Sequence, residues 1–485
     1  MTNQLVQAIA KDSKAAAKAA NKTTTTNGAK AFNSTLSANV DFFGTAGSSR
    51  GKDLVPLFVK AFNEDQDLAL RNLMHLRDVR GGSGERDSFR KLLVALAELN
   101  PKVLLDSKIL EKVPEVGRWD DLLELVKPTI DTRVYTKVIN ILKQGLADGN
   151  GLCAKWMPRQ GDVASRLRSA FGWSPKFYRK TLVSLTKVVE TQMCAKDWSN
   201  INFSFVPSKA MTIYTKAFKR NAQDAFQLYK EALVTGEAKV NASAVFPHDV
   251  YNALMHSPRS EEIVFSTQWN SLPDYMNDVN VLPMIDTSSS MNCSLGGSTS
   301  VSCMDAAVSL GTYISQRTKG AFKNTFLTFN TTPTLEVIKG DTLREQFNNV
   351  LGSNWGGSTN INAGFQLILN KAVANKVPQE DMPKMLIILS DMQFDGADYG
   401  ARSVGGYGMA KKAFKDAGYE LPLIVFWNLH ASGNVPVTMN KEGVCLVSGF
   451  SSSILKSVLG GDLSPEKFTP KYIMVNTLMN ERYAV

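Results

Sequence analysis

Apolar residues recur every three or four positions between about residues 54 and 257, in LVPLFVKAFN, LALRNLMHLRDV, DSFRKLLVALAEL, TRVYTKVINILKQGL and KFYRKTLVSLTKVVETQM among others. That spacing puts one apolar stripe on each of a series of helices. Breaks such as Asn100-Pro101 and Lys127-Pro128 keep the segments short, which predicts antiparallel helix pairs stacked as an irregular, HEAT-like helical repeat. No strict sequence period accompanies it. From about residue 280 the rhythm changes to strand, helix, strand: VLPMID, CMDAAVSLGTYISQRT, FKNTFLTFN, KMLIILSD, LPLIVFWNLH and GVCLVSGF. Continuous apolar runs of that length suit strands buried on both faces, so the alternation predicts a doubly wound, mainly parallel sheet.

The expected fold class is therefore α + α/β. A basic tail, frayed or disordered, is expected over residues 1–40, a helical-repeat domain over 41–278 and the sheet domain over 279–462. An extension over 463–485 is expected to pack back on the helical domain. Proline and polar residues interrupt both rhythms between Trp269 and Val279, which places the domain boundary there.

Composition narrows the class. A chain of 485 residues with 44% apolar content exceeds what one core organises and fits two domains. No apolar run reaches the eighteen or so residues of a membrane span, so no membrane association is expected. The start, MTNQLVQAIAKDSKAAAKAANKTTTTNGAK, lacks the compact apolar core and cleavage site of a secretory signal; it holds no arginine and carries Asp12, unlike a mitochondrial presequence. Five scattered cysteines without a Cys-x-x-Cys pair suit a reducing compartment, and a cytoplasmic location is expected. The four histidines fall in no zinc-type spacing, and no serine sits in a nucleophile-elbow context.

Candidate chemistry gathers in the second half. Asp286, Ser288 and Ser290 crowd the loop after VLPMI, Thr359 lies on the glycine-rich WGGSTNINAG, and Asp391 ends the strand KMLIILS. Magnesium takes near-octahedral oxygen ligands and keeps part of its water, so hydroxyls can ligate directly while aspartates supply charge. Ligands of open α/β sheets also collect at the carboxyl ends of strands. Asp286 read alone fits a plain helix cap equally well. The constellation as a whole predicts a site for Mg2+, or Mn2+, with a coordination position left for a partner carboxylate or a phosphate oxygen. A single hydroxyl-rich site lacks the paired carboxylate-bound metals of two-metal nucleases, so no enzymatic activity is expected.

Charge points elsewhere. Residues 1–280 hold 38 Lys and Arg against 29 Asp and Glu, whereas residues 281–485 hold 17 against 16. The densest basic stretch is KWMPRQGDVASRLRSAFGWSPKFYRKT, residues 155–181, with Lys155, Arg159, Arg166, Arg168, Lys176, Arg179 and Lys180 against Asp162. Cations for phosphates and rings for unstacked bases are what single-stranded RNA binding needs. The candidate RNA contacts are Arg159, Arg166, Arg168, Lys176, Arg179 and Lys180, with Trp173 and Tyr178 as stacking rings. Solvated helix faces around an aromatic core would give the same pattern. The glycine-rich RGGSGER, residues 80–86, lacks the Lys-Ser/Thr ending of a P-loop and reads as a turn between helices.

The metal constellation resembles the metal-ion-dependent adhesion site of von Willebrand factor A (vWA) domains, Asp-x-Ser-x-Ser followed by a distant Thr and a distant Asp. RDVRGGSGERDSFRKLL, GRWDDLLEL, AKWMPRQ, SPKFYRKTLVSL and FVPSKAM, followed by that motif, resemble a family of Ro-like proteins in which a helical domain of unknown function precedes a vWA-like domain. More distantly, the order of domains is similar to that of the Ro ribonucleoprotein autoantigen. The resemblance implies an RNA-binding ribonucleoprotein component with a cation-holding vWA-like domain. The alternative is a metal-dependent protein-interaction scaffold, such as an ATPase adaptor or virion-associated factor, whose metal captures an acidic protein partner without RNA.

Overall fold

The structure is a computed structural model and describes residues 19–242, 244–294, 301–329, 332–353, 356, 360–395, 407–431 and 433–485. It divides into two compact units. The helical unit takes Arg50–Phe62, Gln66–Pro273 and Leu478–Val485; the sheet unit takes the described residues up to Ser49, Asn63–Asp65 and Asp274–Thr477.

In the helical unit, Gln66–Arg77 buries Ala69, Leu70, Leu73, Met74 and Leu76, and with them the polar Asn72, His75 and Arg77. The next helix, Asp87–Leu99, is amphipathic and turns Phe89, Leu92, Leu93 and Leu96 inward. Burying Arg77 demands a counter-charge, and Asp121, fully buried in the 3-10 segment Trp119–Leu125, meets it at 2.7 Å and also accepts from Arg90 at 2.6 Å. Removing one member of such a pair leaves a buried charge uncompensated, at a cost of roughly 3–5 kcal/mol.

The RGGSGER turn is fixed by packing. Asp78 accepts two hydrogen bonds from Arg482, both at 2.6 Å, and one from the Tyr483 hydroxyl at 3.0 Å, while Glu85 accepts from Arg50 at 2.8 Å. A Cβ on Gly82 would lie 1.9 Å from the His75 carbonyl oxygen, so only glycine lets the turn close on the preceding helix. A second apolar cluster joins Phe203 to Phe218 and Phe226, from Ser208–Asn221 and Gln223–Thr235, with ring centroids 5.2 Å from Phe203 in both cases.

The sheet unit opens with a hairpin, β1 (Lys22–Thr24) and β2 (Lys30–Phe32), paired antiparallel. Its main sheet comprises β3 (Val281–Ile285), β4 (Thr325–Thr328), β5 (Leu335–Val337), β6 (Met385–Ser390), β7 (Leu423–Asn428) and β8 (Val444–Ser448). The spatial order is β5-β4-β3-β6-β7-β8, with β5 antiparallel to β4 and every other pairing parallel. Neighbouring residues of β3 face opposite sides. A Cβ on Gly311 of helix Cys303–Arg317 would lie 2.4 Å from Ile285 Cδ1, and one on Gly364 of helix Ile361–Ala374 would lie 2.2 Å from Met284 Cε. Two glycines thus let one helix settle closely on each face, and β3, β4, β6, β7 and β8 are buried throughout.

Two expected boundaries are corrected. Residues 19–49, assigned from composition to the tail and to the first helices of the helical domain, belong to the sheet unit. Phe32 enters the sheet core and exchanges backbone hydrogen bonds with Val435 at 2.9 Å, partners too distant in sequence for local composition to signal. The C-terminal extension is divided. Through Thr477 it stays with the sheet unit, where the Val444 N–H donates to the Phe468 carbonyl at 3.0 Å and so pairs the free edge of β8, and only Leu478–Val485 joins the helical unit.

Candidate cation site and nucleic-acid surface

β3 and β6 are parallel neighbours, with Ile285 opposite Leu389. The chain leaves β3 for β4 on one side and later returns to β6 on the other, so the two strands flank the switch point of the topology. Asp286 and Asp391 are the residues just beyond their carboxyl ends, and both are buried, at 0% and 2% exposure. Asp286 accepts the Ser288 N–H at 2.9 Å and the Ser390 hydroxyl at 2.6 Å; Asp391 accepts the Gln393 N–H at 3.0 Å. Burial pushes the Asp286 carboxyl up to about 6, the Ser390 hydrogen bond opposing and the neighbouring charge of Asp391 adding to the rise. Ser288 and Ser290 bring their hydroxyls to 2.9 Å of each other, Ser288 buried and Ser290 exposed. Asp286, Ser288, Ser290 and Asp391 thus lie in the loops that follow β3 and β6; Thr359 lies outside the described residues.

The donor set is one of hard oxygens. Among the described residues no three His, Cys, Asp or Glu side chains gather around a possible ion, so any cation here depends on the two buried carboxylates together with hydroxyls. That fits Mg2+ or Mn2+ and not zinc. Asp286, buried at the switch point with the charge of Asp391 nearby, favours a cation or a proton beside it, and it is this feature of the chain that fits the group.

The loop after β6 is braced by residues that sequence reasoning passed over. The Thr25 hydroxyl donates to the Phe394 carbonyl at 2.6 Å, the Asn27 amide to the Gln393 carbonyl at 2.7 Å, and the Thr26 N–H to the Gln393 side chain at 2.8 Å. Gly28 forms a bridge with Asp395. The Asn27-Gly28 pair, with Gly28 at φ +86°, was the available signal for a hairpin.

Members of the basic stretch differ in their partners and in their exposure. Arg159 donates to the carbonyls of Ala154 and Met157 at 2.9 and 3.2 Å and to the Thr186 hydroxyl at 3.1 Å, which makes it a brace between helices. Arg166 is paired with Asp162 one turn earlier at 2.7 Å. Tyr178 is buried and its hydroxyl donates to the Pro158 carbonyl at 3.0 Å, so it has no face to offer a base. Tyr178 is therefore corrected as a stacking ring, whereas Arg159 is exposed and Arg166 half-exposed with the partners just given. Lys176, Arg179 and Lys180, on helix Pro175–Leu185, are exposed and Arg168 is half-exposed. Trp173 is half-buried with its ring 5.0 Å from that of Phe177, which is 53% exposed. One groove of the helical unit, about 820 Å³, is lined by Trp119, Arg133, Lys137 and Asn140 among others. Its cations are engaged: Arg133 with Asp131 at 2.9 Å, Lys137 with Glu111 at 3.1 Å.

Fold and site together define a two-part protein, a helical region followed by a mainly parallel six-stranded sheet with an acid pair at its switch point. The chain belongs to the family described as Domain of unknown function (DUF2828), matched over residues 25–148 and 161–282, and residues 280–479 match Domain of unknown function (DUF7788). It is 31% identical over 517 aligned residues to the uncharacterized protein L728 of Acanthamoeba polyphaga mimivirus, covering 95% of this chain and 87% of that relative. Among solved structures it is similar to the RO (RSR) protein of Deinococcus radiodurans, with a TM-score of 0.46 and 14% identity over 92% of this chain and 100% of that one. Among the described residues no helix is long and apolar enough to cross a membrane.

Proposed function

We propose that the chain is an RNA-binding component of a ribonucleoprotein, with a HEAT-like helical unit that contacts RNA and a vWA-like sheet unit that holds Mg2+ or Mn2+. The observation that carries the cation half is the buried pair Asp286 and Asp391 at the switch point, with the Ser288 and Ser290 hydroxyls beside Asp286. Strand order β5-β4-β3-β6-β7-β8 with a single antiparallel strand supports the vWA-like reading. Asp286, Ser288, Ser290, Thr359 and Asp391 would hold the ion, which when bound supplies an electrophilic position for a ligand oxygen. Asp286 and Asp391 supply the charge, Ser390 and the Ser288 N–H orient Asp286, and the hairpin at Thr25–Gly28 steadies the loop after Asp391. The reading is of a binding protein and not of an enzyme.

The RNA half is supported by the exposed Lys176, Arg179 and Lys180 beside the Trp173–Phe177 ring pair, in the part of the chain that carries most of the excess positive charge. Its test is the salt dependence of binding of the full chain to a single-stranded RNA, wild type against a variant with Arg168, Lys176, Arg179 and Lys180 all changed to Gln. Each lost phosphate contact lowers the slope of log affinity against log salt by roughly 0.7, so a drop approaching four such steps is expected. An unchanged slope in a folded variant would leave the protein-interaction scaffold as the better reading, one supported by the exposed position of Ser290 at the cation site.

A further inference from the structure

Two cysteines stand face to face just beyond the cation loop. The Cys303 N–H donates to the Cys293 carbonyl at 3.0 Å and Ser294 bridges antiparallel to Ser302, so Cys293 and Cys303 occupy directly opposed positions of one short ladder. Opposed residues of an antiparallel pair have Cα atoms roughly 4.5–5.5 Å apart, inside the range a disulfide spans. Their sulfurs lie 2.9 Å apart as thiols, the Cys293 Sγ donating to that of Cys303, which in turn reaches the Leu429 carbonyl at 3.3 Å. Closure needs a small approach of the two sulfurs and no rearrangement of the backbone. Cys293 is half-buried between exposed Asn292 and Ser294, so a small oxidant can reach it, whereas Cys303 is fully buried at the first position of helix Cys303–Arg317.

We propose that Cys293 and Cys303 form a modification site, a dithiol that hydrogen peroxide closes reversibly into a disulfide. Cys293 attacks first. Its sulfur takes one peroxide oxygen as the O–O bond breaks, giving a sulfenic acid and one water. The Cys303 sulfur then displaces the sulfenic hydroxyl, which leaves with the Cys303 proton as a second water while the S–S bond forms. Two thiols are oxidised by two electrons and one peroxide is reduced to two waters. The other three cysteines differ in setting: Cys153 and Cys445 are buried and burial raises both thiols, and Cys194 is exposed.

The test treats the reduced full-length protein with graded hydrogen peroxide, denatures it in N-ethylmaleimide and maps the peptides by mass. The expected result is loss of two maleimide labels per chain, a peptide linking Cys293 to Cys303 that is lighter by two hydrogens, and full recovery of both labels with dithiothreitol. In Cys303→Ser, shown to be folded by its melting curve, oxidation of Cys293 should stop at the sulfenic acid and be trapped by dimedone. Labelling of both cysteines after peroxide, direct passage of wild-type Cys293 to the sulfinic acid, or a link through Cys194 instead would each overturn the proposal.

Discussion

Asp286 sits where a carboxylate is expensive to keep, fully buried at a strand end with a second buried acid on the adjacent strand. Ordinary packing would replace it by an uncharged residue, so its presence there argues for a counter-charge arriving from solution. Asp286→Asn retains the shape and removes the charge. In EDTA the variant should melt at the wild-type temperature or above it. Saturating Mg2+ should raise the wild-type melting point, by about 2.7 kcal/mol of stability at a hundredfold excess over Kd, and leave the variant unmoved; equal rises would contradict the argument. His75 is a second diagnostic residue. Burial pushes its imidazole down to about 4, with the charge of Asp78 opposing. The unfolded chain therefore takes up a proton near pH 6.5 that the folded chain refuses until about 4. Stability of the helical unit is full above pH 6.5 and falls by about 3 kcal/mol as pH drops through this window. Urea midpoints of wild type and His75→Asn against pH should differ by a slope approaching one proton between those values. Parallel curves would count against a buried neutral His75.

At the scale of elements, the turn at residues 78–86 shows how local chemistry and long-range packing share the work. Its glycines are visible in the sequence, but the reason for them is the His75 carbonyl under Gly82 and the Arg482 and Tyr483 contacts to Asp78. Gly82→Ala drives a Cβ into backbone that cannot move aside, and should destabilise the helical unit by about 3 kcal/mol, read from its denaturation midpoint. A wild-type midpoint would mean that the turn is not held as described. Elements were legible where one periodicity dominated: the runs VLPMI, KMLIILS and LPLIVFWN became β3, β6 and β7 because strands buried on both faces leave a continuous apolar signature. The hairpin at Lys22–Phe32 was not legible from composition. Its lysines and threonines say little beyond the Asn27-Gly28 turn, and the hydrogen bonds that hold it to the sheet unit are made to residues 393, 394 and 435, far along the chain.

For the whole molecule, the sequence placed the acids and serines of the candidate site at strand ends and the structure brings Asp286, Ser288, Ser290 and Asp391 to one end of the sheet. Spacing could not reveal the Ser390 hydroxyl on Asp286, since β6 alternation alone gives that residue no special role. In the basic stretch the residue types suit RNA, but sequence does not distinguish a buried ring such as Tyr178 from a half-buried one such as Trp173. If RNA contact resides in the helical unit and the cation in the sheet unit, Asp286→Asn should bind single-stranded RNA with wild-type affinity and wild-type salt slope in gel-shift titrations. A loss of affinity there would place the RNA at the cation site instead. The most direct measurement of the central claim is calorimetric titration of Mn2+ into the full-length chain freed of metal, alongside Asp286→Asn. The account predicts one saturable site per chain in the wild type and none in the variant; no saturable binding to the wild type, or equal binding to both, would contradict it.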